Sequence, residues 1–212
     1  MIKAGVIGDP VDHSLSPVIH GHWLDKYAIN GTYTARHITS DGLHAGLAQL
    51  AREGFAGFNV TLPHKTAIMS HCAKCDETAT AVGAANMITI DNEGRFHASN
   101  SDVYGFLQHL RSSWPGFSNC EQAAVILGAG GAARAAIYAL LSAGWRDVRI
   151  ANRTAYKAQD LAREFGIAQA QWDTIDDVLP ETGLLVNTTA MGMHGQPDPA
   201  IDVALMPGNA AI

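Results

Sequence analysis

The chain has 212 residues, enough for one large or two small domains, and 47% hydrophobic residues against 16% charged supply the apolar surface for well-buried sheets. A formal charge of −6 with no basic tract argues against nucleic acid and anionic membrane as partners, and no apolar run approaches the length of a membrane-spanning helix. Three cysteines (Cys72, Cys75 and Cys120) and an amino terminus that reads as a strand rather than a signal peptide predict a reducing, cytoplasmic setting.

Short apolar runs alternate with helical segments, the signature of parallel α/β architecture. Lys3–Ile7 reads as a strand, and Ser16-Pro17 as the N-cap and first position of a helix running to about Tyr27. Tyr33–Ile38 is a second strand. A helix from Ser40 or Asp41 carries Leu43, Leu47 and Leu50 on one face, with Gly54 as its stop. Gly57–Thr61 is a third strand; one helix is expected from Pro63 and another near Asp76–Val82. Asn86–Ile90 and Arg95–Ala98 flank Asp91-Asn92-Glu93-Gly94, a hairpin.

A boundary falls near Val103–Asn119, with a helix over Val103–Leu110 and a loop at Ser112–Gly116. The βαβ rhythm then restarts: strand Ala123–Leu127, helix Ala132–Ser142, strand Val148–Ala151, helix Ala155–Phe165 and strand Leu184–Asn187, with Gly144 and Gly166 as helix stops. The expected domains are 1–102 and 103–212, with no internal repeat. Ala210-Ala211-Ile212 reads as the start of another strand, which suggests a fragment of a longer chain.

Gly128-Ala129-Gly130-Gly131-Ala132-Ala133 follows a strand and opens a helix, the required context for the dinucleotide pattern G-x-G-x-x-G/A. The first glycine makes the tight turn, the second admits the pyrophosphate to the backbone, and a small third residue lets helix pack on strand. The helix N-terminus attracts the phosphate charge. At the end of the next strand, where an NAD site carries an acid, stand Asn152, Arg153 and Thr154, with Lys157 one turn later. These donors suit a 2′-phosphate, so the expected cofactor is NADP; the competing reading is a solvated basic helix start.

Three junctions of the first half carry polar groups. Ser14 and Ser16 can present two hydroxyls at a helix N-terminus, suited to a carboxylate or a hydroxyl-rich ligand, or Ser16 alone can cap the helix. Asn59, Thr61 and Lys65 surround the end of the third strand, where ligands of α/β sheets sit. A lysine there can donate a proton, accept one or anchor an anion; a snorkelling surface lysine is the alternative. Asn86 and Asn100-Ser101-Asp102 come from the hairpin region, with Asp102 either facing a cleft or capping a helix. Oxidising an alcohol requires removal of a hydroxyl proton as hydride leaves, and a Lys–Asp pair can do this.

These segments together resemble the shikimate dehydrogenase family: Gly8–Pro17 with His20, Gly57–Lys65, Gly83-Ala84-Ala85-Asn86, Asn100-Ser101-Asp102, Gly128–Ala132, Asn152-Arg153-Thr154 and Asn187–Met193, in order along nearly the whole chain. The resemblance implies a two-domain α/β fold, an N-terminal α/β substrate domain followed by an NADP-binding Rossmann-like domain, in a monomer or homodimer. It implies that Ser14 and Ser16 hold the carboxylate of shikimate, that Thr61, Lys65, Asn86 and Asp102 surround the ring hydroxyls, and that Lys65 is the catalytic acid/base paired with Asp102. Gly128, Ala129, Gly130, Gly131, Ala132, Asn152, Arg153, Thr154 and Lys157 would bind NADP, and Glu77 falls at a cofactor-linked position. The implied reaction is reversible reduction of 3-dehydroshikimate to shikimate. The family continues past this chain's end with a strand bearing an aromatic substrate contact, a Gly-rich segment, and helices that supply a glutamine and return to the first domain. The expectation is that the 212-residue chain binds NADP but turns over poorly.

Other readings compete. His71-Cys72-Ala73-Lys74-Cys75 could hold zinc or act as a redox pair, but a second ligand pair at zinc spacing is missing and the segment reads as a helix end. A dehydrogenase that also takes quinate, and a non-catalytic module that binds without turnover, are the remaining alternatives.

Overall fold

The computed structural model describes residues 1–117, 121–193 and 195–212. Cys120, and Asn119 at the end of the expected boundary, lie outside the described residues. The chain divides into two compact units, Met1–Ser101 and Asp102–Ile212.

The first unit contains β1 (Ile2–Gly8), α1 (Ser16–Lys26), β2 (Gly31–His37), α2 (Leu43–Arg52), β3 (Gly57–Val60), β4 (Lys74–Cys75), α3 (Glu77–Val82), β5 (Met87–Ile90) and β6 (Phe96–Ser99). They build one sheet in the order β2-β1-β3-β5-β6-β4. β1 runs parallel to β2 and β3, β5 runs antiparallel to β3 and β6, and β4 is parallel to β6. The Leu43, Leu47 and Leu50 face of α2 is buried against Ile7, Phe58, Val60, Ile68 and Ile88, as helical spacing requires.

Three local features depart from the sequence expectation. No α-helix follows Pro63: the Leu62–Pro63 peptide is cis, and turns lead to a 3-10 segment at Ala67–His71. The backbone and side chains here are committed to tertiary partners. The Lys65 carbonyl accepts from the Ala85 N–H, and the buried His64 ring bonds the Ile38 carbonyl at 2.6 Å. Cys72 is extended and leads into β4, so the Cys72–Cys75 segment is not a helix end. Ser16 is the first residue of α1 rather than its cap, and its N–H donates to the Ser14 hydroxyl at 3.3 Å.

The second unit contains α4 (Asp102–Ser113), β7 (Ala123–Leu127), α5 (Gly131–Ser142), β8 (Val148–Ala151), α6 (Ala155–Phe165), β9 (Ala168–Gln169) and β10 (Thr182–Asn187). Its four strands are parallel, in the order β10-β7-β8-β9. Ala211 forms an isolated parallel bridge to Leu184 in β10, within the segment read as the start of a strand. Counting β7 as the first strand, this is the order of a doubly wound sheet, with its switch point between β7 and β10. β7 is buried throughout: Ala124 and Ile126 pack into one core, Val125 and Leu127 into another, as alternation across a central strand demands. β9 and a 3-10 segment at Ile175–Glu181 were not anticipated. Among the described residues no helix is long and apolar enough to cross a membrane.

Gly8 lets the ends of β1 and β3 meet. The Thr61 N–H donates to the Ile7 carbonyl and the Asp9 N–H to the Leu62 carbonyl, each at 2.9 Å. A Cβ on Gly8 would lie 2.5 Å from Thr61 Cγ2 and 3.0 Å from the Leu62 carbonyl oxygen. Gly8→Ala is expected to destabilise the first unit by about 1–3 kcal/mol, the usual cost of overpacking. Urea unfolding measures this, and an unchanged midpoint would contradict the close approach.

Candidate active site

The first unit has a polar cleft of about 300 Å³ whose lining includes His13, Ser14, Ser16, His20, Asn59, Thr61 and Asn86. The sheet order explains why these residues meet. β1 and β3 are parallel, so the loops after Gly8 and Val60 leave from one rim. β5 is reversed, so its start rather than its end lies there, which brings Asn86 to the same rim. The Asn86 side chain is fixed in turn: its Oδ1 accepts the Ser101 N–H at 2.9 Å and its Nδ2 donates to Ser101 Oγ at 3.0 Å.

Ser14, Ser16, Thr61 and Asn86 therefore share one cleft. Lys65 is half-buried four residues beyond Thr61 and is joined to the loop before Asn86 through the Ala85–Lys65 backbone bond. The buried Asn100 amide grips the same loop, donating to the Ala84 carbonyl at 2.8 Å. Asp102 opens α4, directly after Ser101, as the first residue of the second unit. Glu77 lies exposed in the first turn of α3 and outside the cleft lining.

The cleft also has members that sequence reasoning left without roles. Asn59 stands at the β1–β3 rim, and its position between buried Phe58 and Val60 was a legible signal, one polar residue inside an apolar strand. Its Oδ1 accepts the Tyr33 hydroxyl at 2.6 Å and its Nδ2 donates to the Asn86 carbonyl at 3.2 Å. The His20 ring stacks on Tyr33 with centroids 4.0 Å apart, and burial lowers its pKa, favouring the neutral imidazole.

In the second unit, Gly128 has φ +106° and sits against the loop after β10: an added Cβ would lie 2.6 Å from Thr188 Oγ1. Thr188 donates to the Leu127 carbonyl from both its N–H and its hydroxyl. Around Gly130, by contrast, an added Cβ would meet nothing within 4 Å, and α5 starts at Gly131 with no side-chain cap on its first N–H groups. That open backbone leaves room for a pyrophosphate, with Ala129 and Ala132 adding no bulk. Ala133 is fully buried where helix meets strand, the place for a small third residue. At the β8–α6 junction Asn152 Nδ2 bonds the Thr154 carbonyl at 3.0 Å. Arg153, Thr154 and Lys157 are exposed, and neither cation is ion-paired among the described residues. These groups fit a dinucleotide carrying a 2′-phosphate.

Cys72 and Cys75 are free thiols, and among the described residues no three His, Cys, Asp or Glu side chains converge as a metal site.

A glycine-rich turn in a parallel Rossmann-type sheet, joined in one chain to an α/β unit with a polar cleft, defines a two-domain dinucleotide-linked α/β oxidoreductase. Residues 6–88 match the shikimate dehydrogenase substrate binding domain and residues 115–193 match the shikimate / quinate 5-dehydrogenase family. The NADP(+) shikimate dehydrogenase of Dinoroseobacter shibae is 43% identical over 211 residues, covering 99% of this chain and 76% of that protein. That of Brucella abortus is 43% identical over 213 residues, covering 98% and 73%. Among solved structures, the shikimate 5-dehydrogenase of Thermus thermophilus in complex with NADP(H) and shikimate has a TM-score of 0.82 at 35% identity, covering 100% of this chain and 77% of that one. The quinate dehydrogenase of Corynebacterium glutamicum in complex with NAD has a TM-score of 0.84 at 28% identity, covering 99% and 78%. The chain belongs to the shikimate dehydrogenase family.

Burial, with the neighbouring Cys75, pushes the Cys72 thiol up to about 11. Alkylation of Cys72 by iodoacetamide, followed by mass spectrometry, should therefore be slow at pH 7 and accelerate about tenfold per pH unit until near that value. A rate that levels off by pH 9 would show a normal thiol.

Proposed function

We propose that this chain catalyses the reversible NADPH-dependent reduction of 3-dehydroshikimate to shikimate, a step toward chorismate and the aromatic amino acids. The observation that carries this is the meeting of Ser14, Ser16, Thr61 and Asn86 in one cleft, in a chain 43% identical over 99% of its length to an NADP(+) shikimate dehydrogenase. Residues 1–102 then form the substrate and catalytic domain and 103–212 the NADP-binding domain.

Ser14 and Ser16 lie at the start of α1, where hydroxyls and the helix N-terminus together favour the substrate carboxylate. Thr61, Asn86 and Asp102 take the ring hydroxyls. NADP, when bound, supplies or accepts the hydride. Lys65 handles the proton: its ammonium gives one to the carbonyl oxygen during reduction and, as the amine, takes it back from the hydroxyl during oxidation. Asp102 is assigned as the catalytic partner of Lys65 in that step. Gly128, Ala129, Gly130, Gly131 and Ala132 hold the pyrophosphate, Asn152, Arg153, Thr154 and Lys157 the 2′-phosphate side, and Glu77 is assigned as a cofactor-linked position. The protein acts in the cytoplasm as a monomer or homodimer.

Quinate with NAD is the second reading, favoured by the family description and by the structural likeness to the quinate dehydrogenase. Arg153 and Lys157, exposed and without an ion pair among the described residues, with no acid at the end of β8, weigh toward NADP.

The test is NADPH formation with shikimate, comparing quinate for shikimate and NAD for NADP; turnover of quinate alone would reverse the assignment. Lys65→Ala should lower kcat by about 10²- to 10⁴-fold while substrate binding, read by calorimetry, stays within about threefold. Near-normal turnover would remove Lys65 from the proton step. Arg153→Ala should weaken NADP about 10- to 100-fold and NAD by less than about threefold, since only NADP offers the charge-assisted bonds. Equal losses for both cofactors would count against the 2′-phosphate role.

A further inference from the structure

We propose that Tyr33 is a positioning residue of the substrate cleft, whose hydroxyl fixes the carboxamide of Asn59 so that one amide N–H is held for an oxygen of the substrate. The inference rests on the function proposed above and assigns a residue outside its substrate-binding set.

The argument is one of hydrogen-bond inventory. A carboxamide has one acceptor oxygen and two N–H donors, and its two orientations exchange them. For Asn59 both ends are committed. The Tyr33 hydroxyl donates to Oδ1 at 2.6 Å and pins that end of the amide; because a phenol can also accept, the sense of the amide is set at its other end, where a carbonyl that only accepts requires an N–H. On the other side, Nδ2 donates to the Asn86 carbonyl at 3.2 Å, which already accepts the Val60 N–H at 2.9 Å. Among the described residues one N–H of Asn59 is left over, and Asn59 lines the cleft beside Ser16, Thr61 and Asn86. A group that can only donate, placed where an anionic and hydroxylated ligand sits, selects for oxygen acceptors.

Tyr33 is built to hold this orientation. It lies on β2, at the edge of the sheet, and reaches past β1 to Asn59 on β3. Its ring is stacked on His20 with an interplanar angle of 4°, so the phenol has little freedom to swing away. Burial pushes the phenol up to about 12, so it remains a protonated donor throughout the range in which a dehydrogenase is assayed.

The experiment is a double-mutant cycle of Tyr33→Phe and Asn59→Ala, read as KM, kcat and the calorimetric Kd for shikimate. Phenylalanine keeps the ring against His20 and removes only the hydroxyl. In the wild-type background Tyr33→Phe should raise KM and Kd about tenfold with kcat within about threefold. In the Asn59→Ala background the same change should move them less than about twofold. Equal losses in both backgrounds, or no loss in the wild type, would overturn the proposal while the wild type still turns over shikimate. If the wild type neither binds nor oxidises shikimate, the proposed function falls and this inference with it. Asn59→Asp decides the matter should Tyr33→Phe not fold: it keeps an acceptor for Tyr33 but has no donor. It should weaken shikimate at least as much as Asn59→Ala, and wild-type affinity would overturn the assignment.

Discussion

The site of the first unit depends on the contact between the ends of β1 and β3. Two backbone bonds, Thr61 to Ile7 and Asp9 to Leu62, carry the parallel register one step past the strands, and Gly8 is the residue that leaves room for it. Everything polar on that rim is positioned from there. The loop after β1 delivers Ser14 and Ser16, and the loop after β3 delivers Thr61 and Lys65. The Lys65 carbonyl then captures Ala85, which sets Asn86 in place. The second unit repeats the device, with Gly128 admitting Thr188 as Gly8 admits Thr61.

The strands and long helices were legible because their burial is periodic. Leu43, Leu47 and Leu50 mark α2, and the unbroken apolar run Ala123–Leu127 marks a strand covered on both faces. The glycine turn was legible for a different reason: each small residue answers a separate steric demand, a positive φ at Gly128, open space at Gly130 and a buried seam at Ala133. The segment after Pro63 was misread because its local pattern favours a helix while its hydrogen bonds go elsewhere. No window of sequence reveals that the Lys65 carbonyl is taken by Ala85 or that His64 is a core residue bonded to Ile38. β9 escaped because two residues, one of them polar, leave no periodicity to read.

The candidate site residues divide along the same line. Ser14, Ser16, Thr61, Lys65 and Asn86 belong to compact segments next to strand ends, where the α/β rule already directs attention. Tyr33 sits within a strand of mixed polarity, far along the chain from Asn59, and only the sheet order brings it near. Its contribution lies in a neighbour's orientation, which is a property of the assembled network rather than of any segment.

The reversal of β5 governs where the first unit can vary. Had this strand run with its neighbours, Asn86 would sit at the opposite rim, roughly 13 Å away at about 3.3 Å per residue. Antiparallel pairing instead sends the connecting turn, Asp91–Gly94, to that far rim and leaves both ends of the hairpin at the cleft. Evolution can lengthen or recharge the turn without disturbing ligand contacts. A one-residue slip between β5 and β6 is another matter, since it would carry Asn86 to the other face of the sheet and part it from Ser101.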